Sequence, residues 1–259
     1  MAKGEPVDGY TATEVALLLT AAALIGFSKT AIGGVSSISV AIFAAVLPAR
    51  QSTGLVLPLL ILGDVFAVSA YRHHVQWRVL LRLVPAVLVG IVVGAYFVSR
   101  VDDVVMRRTI GVVLLCLVAV NVWNRSRGSA SSDGEQTAMS ASGHRVAAGV
   151  YGTLTGFTTM VANAGGPVMS LYMLAVRMPM LAFLGLGAWL FALFNLFKIP
   201  FSIGLGLMTW DSLLLDAALA PALVIGALVG RRVIRRLDQA MFERIVLVVT
   251  VLAALNLVR

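Results

Sequence analysis

Between Leu24 and Val35 the chain reads LIGFSKTAIGGV, which sets a lysine and three glycines between two apolar runs each shorter than a bilayer crossing. Backbone that leaves helical geometry inside hydrocarbon must be enclosed by protein or line a wet cavity, because lipid cannot satisfy its hydrogen-bonding groups. Such a break dictates an internal cavity. The stretch Leu154 to Pro167, LTGFTTMVANAGGP, repeats the design about 130 residues later, with Gly26-Phe27 echoed by Gly156-Phe157 and Gly33-Gly34 answered by Asn163-Ala164.

Of the 259 residues, 59% are hydrophobic and 12% charged, a composition without the polar surface of a soluble globular domain. The chain reads as an integral membrane protein. Met1 to Glu14 lacks a basic leader ahead of a cleavage site, so no removable signal peptide is expected there. The lone cysteine, Cys116, falls in an apolar run and excludes an intrachain disulfide or a cysteine metal cluster. A formal charge of +8 is spread over short loops, where orientation signals belong, and does not indicate nucleic acid. His73, His74 and His144 read as interfacial or solvated, and no HExxH or other catalytic grouping is present. Neither an enzyme, a metal nor a cofactor is expected.

Apolar runs divide the chain into a first repeat, 1–123, a linker, 124–144, and a second repeat, 145–259. Each repeat opens with a short, broken pair of runs, Ala12 to Phe27 with Val35 to Leu47 (12–47) and Val146 to Ala162 with Pro167 to Val176 (146–176). Three longer runs follow in each, at 52–71, 79–99 and 104–123, then at 181–203, 212–233 and 242–258. The Ser/Gly-rich linker cannot bury a face. Pro85-x4-Gly90-x3-Gly94 in the first repeat returns as Pro221-x4-Gly226-x3-Gly230 in the second, and Asp64 is matched by Asn195. These GxxxG pairs read as helix packing, where missing side chains let backbones approach.

The short pair in each repeat either crosses as one interrupted helix, giving parallel repeats, or dips in and returns as a re-entrant hairpin, giving inverted repeats. The crossing arrangement splits the basic residues nine against ten and sets no orientation. The hairpin arrangement gathers Arg72, Arg78, Arg82, Arg125, Arg127, Arg145, Arg177, Arg231, Arg232, Arg235, Arg236 and Arg244 on one side. It leaves Lys3, Arg50, Arg100, Arg107, Arg108, Lys198 and Arg259 opposite, a usable positive-inside bias of twelve against seven. The expected fold is therefore all-α and polytopic, with two inverted repeats, each a broken re-entrant hairpin plus three transmembrane helices. The linker is expected in the cytoplasm and both termini outside.

Hairpin tips near the midplane would aim helix N-termini, with free N–H groups and a positive dipole end, at an anion. Pro167 suits the first turn of such a helix. Lys29 at that depth costs about 2.5 to 3.5 kcal/mol on insertion scales unless paired or solvated, so it is either a substrate contact or half of an ion pair. Ser28, Thr30, Gly33, Gly34, Ser36 and Ser37 in the first hairpin are candidate anion contacts. In the second they are Thr158, Thr159, Asn163, Gly165 and Gly166, joined by Asn195 and Lys198 on the run that follows. Small polar residues serve equally as packing glue. Asp64, an acid well inside an apolar run, is a candidate proton carrier or the partner of Lys29. Lys198, three residues after Asn195 and beside Pro200, where broken geometry is expected, either reaches inward or snorkels outward.

GFSKTAIGG, LPLLILGDVFA, YRHHVQWR, GFTTMVANAGGP with its following LYML, and FNLFKIPF together resemble, in order and over nearly the whole chain, the TauE/SafE family of membrane permeases. The resemblance implies a secondary transporter of small anions in the cytoplasmic membrane, with sulfite and sulfonates as the substrate class and export as the direction. A passive anion channel or an importer of a related organic anion are the alternatives, and homo-oligomerisation stays open. Val35-Ser36-Ser37-Ile38 departs from the glycine-richer family pattern after the first GG, which bears on the substrate more than on the fold.

Topology is directly measurable: reporter fusions at Ser131 and at Arg259 are expected to report opposite sides of the membrane. The same side for both rules out the inverted arrangement.

Overall fold

The computed structural model describes residues 10–31, 35–47, 49–102, 104–105, 141–163 and 165–238, and then 240–242, 244–245 and 248. Gly33, Gly34, Cys116, most of the linker and most of the runs at 104–123 and 242–258 lie outside the described residues. The fold is all-helical, and no strand occurs among the described residues.

Helix α1 spans Ala12–Thr30, α2 Ser36–Val46, α3 Ala49–Tyr71 and α4 Trp77–Val98, with a 3-10 turn at Arg72–His74. In the second half α5 spans Ala141–Ala162, α6 Gly165–Ala175, α7 Met180–Gly204 and α8 Trp210–Ile234. Five segments are long and apolar enough to cross a bilayer: Ala12–Thr30, Gly54–His74, Trp77–Val98, Met180–Gly204 and Ser212–Ile234. The protein is thus a multi-pass membrane protein.

Two expectations are corrected. The first arm does not stop at Phe27 as a run too short to cross: Ser28, Lys29 and Thr30 continue α1 to 19 residues. Thr30 Oγ1 donates back to the Gly26 carbonyl at 3.1 Å, and the Lys29 charge is neutralised, so the helix carries on through both polar residues and ends only after Thr30. Nor does Pro200 break the chain beside Lys198, because α7 runs through it to Gly204. One missing N–H is tolerated inside a helix of 25 residues packed among others.

Glycine contacts fix how the helices run. Ala23 meets Gly226, Gly26 meets Leu223 and Ala227, and Thr30 meets Gly230, so α1 and α8 run in the same direction. Ala86 meets Gly152, Val87 meets Gly156, Gly90 meets Thr153 and Phe157, and Gly94 meets Met160, so α4 and α5 also run together. Both GxxxG pairs therefore serve as seats for the long arm of a broken helix pair, each belonging to the other half of the chain. In contrast, α3 and α7 are antiparallel: Gly54 lies against Leu207, Asp64 against Asn195, and the backbone of His74 and Val75 against Gly185. The short helices pack back on their partners, α2 on α1 and α6 on α5. Phe43 of α2 and Leu47 just beyond it share a core cluster with Leu18 and Ala21 of α1, and residues Gly165 to Leu174 of α6 are buried.

A side chain at Gly26 has no room, since a Cβ there would stand 1.9 Å from the Leu223 carbonyl oxygen, whereas one at Gly149 meets nothing within 4 Å. Gly26→Val is expected to separate α1 from α8 and cost about 1–3 kcal/mol or more. Gly149→Ala should be neutral or gain up to about 1 kcal/mol from helix propensity. Thermal unfolding in detergent reads both, and equal stability of the two variants contradicts the seam.

Candidate functional site

Where the α1–α2 and α5–α6 breaks face one another across the α3–α7 crossing, they enclose a cavity of about 610 Å³ including its mouth. Its polar wall carries Ser28, Lys29, Ser36, Asp64, Thr159, Asn163, Ser170 and Asn195. Leu60, Met169, Met173, Phe183, Leu184, Ala188 and Phe191 supply its apolar surface, with Gly166 and Gly187 completing the lining. Such a cavity suits a small solute with a charged head.

Lys29 occupies the last turn of α1, not the break itself. Its stem passes over Gly63, where a Cβ would come within 2.9 Å of Lys29 Cγ, so the glycine beside Asp64 makes room for the lysine. The ammonium donates to Asp64 Oδ1 at 2.6 Å and lies 5.1 Å from the centre of the Phe191 ring. The pairing reading of these two residues is thus met in this conformation. Asp64 Oδ2 accepts from Asn195 Nδ2 at 2.6 Å, leaving Asn195 Oδ1 buried without a hydrogen-bond partner. An acid and the amide at its repeat-equivalent position therefore touch each other.

On the second half, Lys198 is 1% exposed and reaches inward. It donates to the Thr159 carbonyl at 2.7 Å and to Asn163 Oδ1. Asn163 needs this support because it ends α5 with φ of 52°, the left-handed region that asparagine tolerates better than most residues. Lys198 does not line the cavity; it braces the break whose Asn163 does.

The remaining candidates separate cleanly. Ser36 and Gly166 line the cavity at the starts of α2 and α6. The Ser36 N–H donates to Ser28 Oγ at 2.9 Å, so that helix end is capped by a side chain and is not wholly free. Thr30 faces away, donating to the Ala227 carbonyl at 2.9 Å, while its own carbonyl accepts from Tyr71 Oη at 2.5 Å. Thr158 is buried and bonds back to the Leu154 carbonyl at 2.8 Å. Gly165 is a packing glycine against Thr155 and Thr159. The Ser37 side chain, with Gly33 and Gly34, lies outside what is described. Sequence reasoning missed Phe191, although it stands one helical turn before Asn195 on the same face. The apolar wall from α6 carried no readable pattern, because that helix is buried all round.

Removing Lys29 alone strands the Asp64 carboxylate. Lys29→Ala is expected to cost about 3–5 kcal/mol, and Lys29→Ala/Asp64→Asn to recover most of it. Additive losses in thermal unfolding would show that the pair does not carry this energy.

The family model for Sulfite exporter TauE/SafE matches residues 18–257. The match takes in both broken segments and every cavity residue named above. Searches of curated proteins and of solved structures return no match. The chain belongs to the TauE/SafE family of sulfite-exporter-type membrane permeases.

Proposed function

We propose that this TauE/SafE permease is a secondary transporter that exports small oxyanions of the sulfite and sulfonate class across the cytoplasmic membrane by alternating access. The observation that carries the reading is the Lys29–Asp64 pair in the wall of a cavity set between two broken helix pairs. A lysine whose partner is a carboxylate already presents the geometry that an incoming sulfite or sulfonate oxygen needs. Anion and Asp64 then compete for one ammonium. A proton on Asp64 removes its negative charge, frees Lys29 for the substrate and couples proton binding to anion binding.

Lys29 takes the charge of the anion, with Ser28, Ser36, Thr159, Asn163 and Asn195 offering hydrogen bonds around it. Asn195 holds the released carboxyl, and Lys198 keeps the second break in shape. Antiparallel α3 and α7, meeting at equivalent residues, support two inverted halves moving against each other about this point. The matching α1–α8 and α4–α5 seams support the same arrangement. The bias of the basic residues toward the linker side supports a cytoplasmic linker and termini on the outer side.

Proteoliposomes loaded with sulfite, sulfoacetate or sulfate test the reading. Saturable flux of the first two that responds to an imposed pH gradient is expected; flux that rises linearly with concentration would favour a pore. Asp64→Asn is expected to retain anion-induced thermal stabilisation, about 2.7 kcal/mol at a hundredfold excess over Kd, while its response to pH disappears. The refolded pair variant Lys29→Ala/Asp64→Asn should show no such stabilisation. If it does, Lys29 is not an anion ligand.

A further inference from the structure

Asp216, in the second turn of α8, is 6% exposed, and both its carboxyl oxygens are buried without a hydrogen-bond partner among the described residues. Its position is not incidental. Asp216, Leu219, Leu223, Gly226 and Gly230 recur at the spacing of one helix stripe, and the last three of them touch α1 at Gly26, Ala23 and Thr30. Asp216 therefore stands on the seam that seats the first hairpin, two turns before the Leu223 contact. On the same turns Leu214, Ala217 and Ala218 are exposed, so the acid points with the packed stripe and not toward the outer face.

The repeat sharpens the anomaly. Aligning Pro85-x4-Gly90-x3-Gly94 with Pro221-x4-Gly226-x3-Gly230 puts Leu80 of α4 opposite Asp216, and Leu80 is an ordinary core residue, 3% exposed. Packing alone is satisfied there by leucine. Among the described residues, charged groups on the neighbouring elements do not answer the acid. On α1, Glu14 is tied to Thr11 in the first turn and Lys29 is bound to Asp64. On α3, Asp64 is bound to Lys29 and Asn195, and Tyr71 lies at the far end, donating to Thr30. On α8 itself Arg231 and Arg232 sit in the last turn. The side chains of Arg50 and Asp211 lie outside those described.

We propose that Asp216 is a second proton-binding site, a neutral carboxylic acid in the α1–α8 seam that passes its proton to water when the seam opens, tying proton release to movement of the first hairpin. An ionised carboxylate with no partner is far costlier in such a place than the neutral acid, so the closed seam holds the proton and an opened, hydrated seam lets it go. The hairpin part of this statement rests on the transport reading above; proton occupancy does not.

Dicyclohexylcarbodiimide reacts with protonated carboxyls in apolar surroundings, and mass spectrometry of the labelled protein in nanodiscs locates the adduct. Asp216 is expected to be labelled at neutral pH, with labelling lost as the pH rises and absent in Asp216→Asn. The ion-paired Asp64 serves as the internal comparison. Asp216→Asn and Asp216→Leu should keep anion-induced stabilisation and lose acceleration by a pH gradient. No adduct at Asp216, or an unchanged pH-gradient response in both variants, overturns the proposal. Failure of the transport reading shows differently, as an absence of anion-induced stabilisation in the parent protein with the adduct still present.

Discussion

An ammonium group inside a hydrocarbon layer has to be neutralised, and the centre of this molecule follows from how Lys29 meets that demand. Its partner Asp64 must sit at the same depth on another helix, Gly63 must be small enough to let the lysine stem pass, and Asn195 must satisfy the second carboxyl oxygen. Those three requirements bring α1, α3 and α7 to one point. The cavity lies where the two helix breaks border these polar groups.

The second half reaches the same end by other chemistry. There the lysine sits on the crossing helix and the break supplies the acceptors, the Thr159 carbonyl and Asn163 Oδ1. The carboxylate of one half has become an amide in the other. One half thus holds an ion pair within reach of the cavity, and the other holds a lysine hydrogen-bonded to uncharged acceptors behind it. That asymmetry gives the cavity a charged side even though the two halves share their glycine seams and their helix order.

Much of this was legible in the sequence because membrane constraints are severe. The two breaks, the four long helices from α3 onward and the packing role of the GxxxG pairs could be read from run length and small-residue spacing. Lys29, Asp64, Asn163, Asn195 and Lys198 stood out simply as polar residues in apolar runs. What sequence left open was partnership. Nothing in the spacing tells whether Lys29 meets Asp64, or that Lys198 faces Asn163 and not an interface, since both depend on contacts across more than thirty residues. The expected early end of α1 at Phe27 failed for a related reason: Ser28, Lys29 and Thr30 look like a break until their partners on other helices are known. Thr30 and Thr158 looked like anion donors and are instead committed to backbone carbonyls, a choice that local sequence does not encode.

The exchanged seating of the two long arms has a consequence for biosynthesis. The glycine groove that receives α1 lies on α8, some two hundred residues downstream, whereas the groove for α5 on α4 is already made when α5 emerges. The first arm therefore enters the membrane with its small-residue face uncovered and keeps it so until α8 is made, although Lys29 can meet Asp64 as soon as α3 follows. Assembly of the two halves is obligatorily interlocked, and a ribosome that stalls after the linker releases a fragment whose leading helix has no groove to settle into. Closing that seam depends on contacts of very long sequence separation, which are the slowest kind to form.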